Sequence, residues 1–122
     1  MLGFNFYQQG KSREAETLFR GLVAIQPNLY YGFAGLGAIA LAEERFDEAR
    51  LCLSLAEALE ARDASVHANL GEVLLRQGKF DEAAAQFQRA LDLDPGQRDP
   101  GANRARALLG GLALLMSEES GR

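Results

Sequence analysis

The chain has 122 residues, of which 48% are hydrophobic and 25% are charged, as in an ordinary folded domain. Its 13 Lys and Arg against 17 Asp and Glu give a net charge of −4, which argues against nucleic-acid binding through a basic surface. No apolar run approaches the roughly 20 residues that cross a bilayer, so we expect no direct membrane insertion. Cys52 is the single cysteine and the start lacks the pattern of a signal peptide, so we expect a cytoplasmic protein without disulfides.

Apolar residues recur at three- and four-residue steps along most of the chain, and this spacing predicts helices. The pattern is interrupted by turn-forming stretches, namely QQGKS, QPNLY, EERFD, EARDAS, RQGKF and DLDPGQ. These breaks predict six helices, at about 1–9, 12–25, 30–43, 46–60, 64–77 and 80–93. Asp99-Pro100 is a suitable N-cap with proline in the first turn, so it predicts a seventh helix to about residue 116, before a frayed tail at 117–122.

A period of 34 residues runs through this helical pattern. It relates three sets of residues: Gly3, Gly37 and Gly71; Ala15, Ala49 and Ala83; and Phe19, Leu53 and Phe87. A glycine inside a helix costs about 1 kcal/mol relative to alanine, so three glycines at one register indicate a packing requirement. We expect each glycine to let the first helix of a pair approach the second, where the alanine of the same repeat provides a matching flat surface.

The period and its residues resemble the tetratricopeptide repeat, a 34-residue helix–turn–helix unit. The matching residues include Leu36-Gly37, Ala49 and Ala56, and then Leu70-Gly71, Gly78, Ala83, Phe87, Ala90 and Pro95. The resemblance implies an all-α, right-handed α-solenoid of three such repeats, at about 1–29, 30–63 and 64–97, with a C-terminal capping helix at about 100–116. Together they would form a single domain over residues 1–116.

In such a solenoid the first helix of each repeat lines a concave trough that binds a protein or peptide. The side chains that the register directs into this trough are Phe4, Tyr7, Gln8, Tyr31, Ala34, Ala38, Leu41, Ala68, Asn69, Glu72 and Leu75. The trough is expected to change from aromatic and apolar to mixed polar along the chain. The alternative for the two aromatic residues of the first helix is that a preceding helix covers them.

The segment LGFNFYQQGK is similar to the first repeat of one subfamily, the bacterial type III secretion chaperones that hold translocator proteins before export. This resemblance implies a cytoplasmic chaperone whose trough holds an extended apolar segment of a secreted translocator. Two rival hypotheses remain. The chain could instead be a generic scaffold, such as an assembly factor for a pilus, or a repeat fragment of a larger regulatory protein.

No pattern in the sequence indicates catalysis, a metal site or a cofactor. One histidine and one cysteine are too few for a zinc cluster or a Cys–His nucleophile pair, and His67 is expected to have a packing role. In the last predicted helix the apolar residues Ala105, Leu108, Leu109, Leu112 and Leu115 recur at helical spacing. This stripe is expected to cap the solenoid, and the second interpretation is that it joins two copies into a homodimer.

Overall fold

The computed structural model of the protein describes the backbone of residues 2–59 and 62–120 and the side chains of residues 11–59 and 62–118. These residues form helices and no strand: α1 Leu2–Ile25, α2 Tyr30–Ala42, α3 Phe46–Ala58, α4 Ala64–Arg76, α5 Phe80–Asp92 and α6 Pro100–Ser120. The prediction of an all-α chain is therefore confirmed. The helices group into two compact units, with α1–α3 in unit 1 (Met1–Glu60) and α4–α6 in unit 2 (Ala61–Arg122). The single domain over residues 1–116 stays a prediction.

The first helix differs from its prediction. The sequence predicts a turn at QQGKS, whereas α1 continues without interruption through Gly10. The residues 34 and 68 positions further on, Glu44 and Gly78, do lie in turns and have left-handed φ angles of 60° and 77°. A helix tolerates one glycine at a cost of about 1 kcal/mol, and the residues around Gly10 are mostly helix formers. The glycine therefore permits a turn without imposing one.

The two helical hairpins, α2–α3 and α4–α5, follow the predicted repeat closely. In the first turn the Arg45 amide donates to the Ala40 carbonyl at 2.8 Å, and in the second the Lys79 amide donates to the Leu74 carbonyl at 2.8 Å. Each bond spans five residues and surrounds a residue of positive φ, which is the hydrogen bonding of a Schellman C-cap. The same local structure thus ends the first helix of both hairpins.

Glycine lets the helices of each hairpin approach, as predicted, but the residue that fills the gap is different. A Cβ atom at Gly37 would lie 2.5 Å from Cγ of Leu53, and one at Gly71 would lie 2.5 Å from the ring of Phe87. Ala49 and Ala83 are buried, yet the large side chain one turn further along the second helix occupies the space above the glycine. Leu53 and Phe87 are both fully buried, so this contact is central to each unit.

The last helix begins as predicted and packs on both helices of the preceding hairpin. The side chain of Asp99 accepts a hydrogen bond from the Ala102 amide at 3.0 Å, which caps α6. Ala102, Ala105 and Leu112 are buried. Leu115, which the sequence assigns to the same stripe, is 54% exposed and borders a small apolar pocket with Phe80 of α5.

Candidate functional site

Four of the predicted binding residues form one stripe along α2 in unit 1. Their spacing of three, four and three residues places them on one side of the helix. We call this stripe the α2 face: Tyr31, Ala34, Ala38 and Leu41. Tyr31 is 58% exposed and the other three are partly exposed. The face therefore has one large side chain near each end and two small ones between them.

The aromatic end of the α2 face is supported by α1. The ring centroids of Phe19 and Tyr31 lie 5.8 Å apart with the planes at 57°, which is a favourable tilted arrangement. Gly35 makes this contact possible, because a Cβ atom there would lie 2.5 Å from three atoms of the Phe19 ring. The 34-residue register includes Phe19 but does not predict this supporting role. A glycine within a helical pattern at position 35 was the signal that could have revealed it.

The earlier part of the predicted trough lies on α1. Phe4, Tyr7 and Gln8 are within this helix, but their side chains are outside the described residues. Their assignment to a binding surface therefore stays a prediction.

The corresponding stripe of unit 2 lies on α4, 34 residues further along the chain. We call it the α4 face: Ala68, Asn69, Glu72 and Leu75. Ala68 is fully buried, so its methyl group belongs to the interior of the structure and is not available to a partner. Asn69, Glu72 and Leu75 are partly exposed.

Two other residues of α4 contact α6. The Asn69 side chain accepts a hydrogen bond from Arg104. A Cβ atom at Gly101 would lie 2.7 Å from Oγ of Ser65, so α6 approaches α4 closely here. The α4 face is therefore polar and is partly occupied by the protein's own last helix.

A cluster of charges in unit 1 joins α1 to the α2–α3 turn. Arg45 is paired with Glu48, with Glu43 at 2.9 Å and with Glu16 at 3.7 Å. Glu16 also accepts a hydrogen bond from Arg20, which holds the pKa of this carboxyl below its ordinary value. The acidic turn between α2 and α3 thus has a basic residue at its centre.

The two residues considered for reactivity are both engaged in packing. His67 is 7% exposed, and its Nδ1 lies 2.9 Å from Oε1 of the buried Gln86. Burial raises the pKa of the Cys52 thiol, and the carboxylate of Glu48 adds to the shift. No group of three or more His, Cys, Asp or Glu side chains within the described residues could hold a metal ion. None of the described helices has the length and apolar character that crossing a bilayer requires.

Comparison with known proteins identifies the repeat. Residues 64–97 match the tetratricopeptide repeat family. A curated relative, the tetratricopeptide repeat-containing protein trd-1 of Caenorhabditis elegans, is 36% identical over 92 residues, or 75% of this chain and 11% of that protein. A repeat-containing protein of Treponema pallidum is 29% identical over 84 residues, or 69% of this chain and 10% of that protein. The chain thus spans about a tenth of the length of these curated relatives.

Solved structures match over nearly the whole chain. The translocator chaperone SycD of Yersinia enterocolitica superposes with a TM-score of 0.76 at 26% identity, covering 95% of this chain and 81% of SycD. PcrH of Pseudomonas aeruginosa, bound to the chaperone-binding region of PopD, gives 0.77 at 27% identity and covers 94% and 88%. The protein therefore carries a tetratricopeptide repeat at residues 64–97 and has the helical-repeat fold of that family, with a close structural likeness to type III secretion translocator chaperones.

Proposed function

We propose that the protein is a non-catalytic chaperone of the bacterial cytoplasm that holds an extended apolar segment of a secreted translocator against the α2 face. The likeness to SycD and to the PcrH–PopD complex supports the class of partner. The observation that carries the proposal is the exposed ring of Tyr31 at one end of an apolar stripe, held in position by Phe19.

The dimensions of the α2 face suit a short extended peptide. Tyr31 and Leu41 are ten residues apart, which is about 15 Å along a helix. Four to five residues of extended chain span about the same distance. Between the two large side chains lie Ala34 and Ala38, whose small size leaves room for an apolar side chain of the peptide. Covering exposed apolar segments in this way would prevent their aggregation before export, which is the physical purpose of such a chaperone.

A binding measurement tests the α2 face directly. The probe is a fluorescently labelled peptide with the sequence of the chaperone-binding region of PopD, and fluorescence anisotropy gives its Kd. We expect Tyr31→Ala, which removes the anchor ring, and Ala38→Glu, which places a charge mid-stripe, each to raise Kd about tenfold or more. Both changed residues are at least partly exposed, so the circular dichroism spectrum should be unchanged.

The matched control is Leu51→Ala on α3 of the same unit. Leu51 is 62% exposed, close to the value for Tyr31, but lies on a different helix. We expect its Kd to stay within about twofold of the unmodified protein. Failure of the folded protein to bind the peptide, or equal losses in all three variants, would reject the proposal.

The α1 residues belong to the same proposal and need a separate experiment. The double variant Phe4→Ala/Tyr7→Ala is expected to weaken peptide binding further, and Gln8 to contribute by hydrogen bonding. Unchanged Kd in this variant would restrict the binding surface to α2. On the α4 face, Asn69, Glu72 and Leu75 are proposed as weaker, more polar contacts.

A further inference from the structure

Unit 2 contains a cavity that the proposed function does not use. The cavity has a volume of about 260 Å³ and is lined by His67, Arg89, Asp92 and Leu93. It therefore lies where the start of α4 meets the end of α5. A protein cavity of about 150 Å³ already holds a benzene molecule. The space in unit 2 is thus large enough for one aromatic or branched side chain and the polar groups attached to it.

The residues around this cavity are more polar than those at the same register of unit 1. The five positions that form the cavity and its neighbouring glutamine are His67, Gln86, Arg89, Asp92 and Leu93. The residues 34 positions earlier are Phe33, Cys52, Leu55, Ala58 and Leu59. Four apolar side chains of unit 1 thus correspond to polar or charged ones in unit 2, and one leucine is kept. The hairpin itself needs none of these polar groups, because α2 and α3 form the same pair of helices without them.

A buried hydrogen-bonded pair forms the inner wall of the cavity. His67 is 7% exposed and Gln86 is 8% exposed. Nδ1 of His67 lies 2.9 Å from Oε1 of Gln86, within hydrogen-bonding distance. A satisfied buried polar pair of this kind is rigid, so the imidazole ring is held in place. Leu93, at the end of α5, is 41% exposed and supplies an apolar surface to the same cavity.

Two opposite charges border the cavity on the last turn of α5. Arg89 and Asp92 are three residues apart, a spacing that places them on the same side of the helix. Oδ1 of Asp92 accepts a hydrogen bond from Gln88 at 3.0 Å. A carboxylate has about four acceptor sites and a guanidinium has five N–H donors, so both groups can also bind a ligand. A guanidinium binds a carboxylate well, and a carboxylate accepts hydrogen bonds from an N–H group.

We propose that this cavity binds an apolar amino acid through its free α-carboxylate, either as the C-terminal residue of a polypeptide or as a free molecule. Arg89 binds the carboxylate and Asp92 accepts a hydrogen bond from the nitrogen on the α-carbon. The apolar side chain lies between the ring of His67 and Leu93. A simple anion would be repelled by Asp92 and a simple cation by Arg89, whereas this ligand matches both charges. The inference goes beyond the proposed function, since the α2 face belongs to unit 1.

His67 provides a direct test because it is the only histidine of the chain. The intact protein is titrated at constant pH with L-phenylalanine, N-acetyl-L-phenylalanine and L-phenylalaninamide, and NMR follows the imidazole Hε1 signal. A ligand of this size binds at about 1 mM, so the titration covers the millimolar range. We expect a saturable shift with at least one of the two carboxylates, and a Kd at least about tenfold higher for the amide. No saturable shift with either carboxylate, or an equal Kd for the amide, would overturn the proposal.

The two carboxylates distinguish the two sources of the ligand. The acetyl group imitates the preceding peptide bond, so it keeps an N–H group for Asp92 and removes the ammonium charge. A Kd for N-acetyl-L-phenylalanine that is lower than, or within about threefold of, that for L-phenylalanine identifies the C-terminal residue of a polypeptide. A larger preference for L-phenylalanine identifies a free amino acid.

A charge-removing variant tests the role of Arg89. Arg89→Leu introduces the residue that unit 1 has at this register. We expect it to raise the Kd of the bound carboxylate about tenfold, because a charge-assisted hydrogen bond is lost. Arg89 is exposed, so the circular dichroism spectrum should be unchanged.

The matched control is Arg98→Leu, which removes the same charge from an exposed residue of unit 2 that does not line the cavity. We expect its Kd to stay within about twofold of that of the unmodified protein. Equal losses in the two variants would show that only the net charge of the protein matters and would refute the site.

Discussion

The α2 and α4 faces occupy the same register of the same repeat but present different surfaces. Tyr31, Ala38 and Leu41 make the first face apolar, and the residues 34 positions further on are Ser65, Glu72 and Leu75. The α2 face is supported from behind by an aromatic ring of α1, whereas the α4 face makes hydrogen-bonded contact with α6. The comparison teaches that the repeat fixes how helices pack within a hairpin and leaves the outward face free to specialise.

The two units share one contact in their interiors, between a glycine of the first helix of the hairpin and a large side chain of the second. Gly37 and Gly71 lie at one register, and each is closed by a large buried side chain of the second helix. Filling that space with a methyl group would require a buried side chain to move, so the register tolerates little change. The outward residues carry no such constraint, because they meet solvent or a partner.

The largest expected effect on stability comes from replacing Gly35 of α2 by asparagine, the residue found at the equivalent position 69 of α4. Gly35→Asn adds a side chain where a Cβ atom would lie 2.5 Å from the Phe19 ring. We expect a loss of about 1–3 kcal/mol in the free energy of unfolding, measured by urea denaturation, because the ring must leave its site beside Tyr31. The matched control is Gly21→Asn in α1, where nothing lies within 4 Å and stability should change by less than about 0.5 kcal/mol. Equal stability of the two variants would contradict this account of the α2 face.

A smaller and opposite effect is expected in the turns. Glu44 has a φ of 60° at the position where the second hairpin has Gly78. Glu44→Gly should raise the free energy of unfolding by about 0.5–1 kcal/mol, because the left-handed conformation costs glycine nothing. Thermal unfolding measures the gain, and Glu43→Gly, whose φ is −92°, should instead lower stability. A stabilising Glu43→Gly would indicate that the turn geometry is not the cause.

The smallest effect concerns the ion pairs of unit 1. The hydrogen bond from Arg20 lowers the pKa of Glu16, so this carboxyl stabilises the fold above its ordinary pKa, and the contribution is lost as pH falls through the lowered value. We expect Glu16→Gln to cost less than about 0.5 kcal/mol at pH 7, since the Arg20 side chain that pairs with it is largely exposed. The difference from the unmodified protein should vanish once the pH is well below the lowered pKa of Glu16. A difference that grows in acid would mean that the carboxyl acts in its protonated form.

The repeat and the hairpins could be predicted from the sequence because their causes are local or periodic. The 34-residue spacing of glycine and large apolar residues dictates the α2–α3 and α4–α5 pairs, and Asp99-Pro100 is a sufficient signal for the start of α6. The α2 face follows from the same register, since helical spacing alone puts Tyr31 and Leu41 on one side. The likeness to translocator chaperones was visible in the segment LGFNFYQQGK.

Other features depend on packing between segments that are distant in the sequence, and only the tertiary structure revealed them. Gly10 lies within a continuous helix because glycine only permits a turn, and the ring of Phe19 supports Tyr31 because Gly35 leaves a gap. Ala68 is fully buried where α4 packs within unit 2, which no property of α4 alone could reveal. The sequence by itself determined the repeating hairpin, since its period is written in the chain, and only packing decided which repeated positions stayed open to a partner.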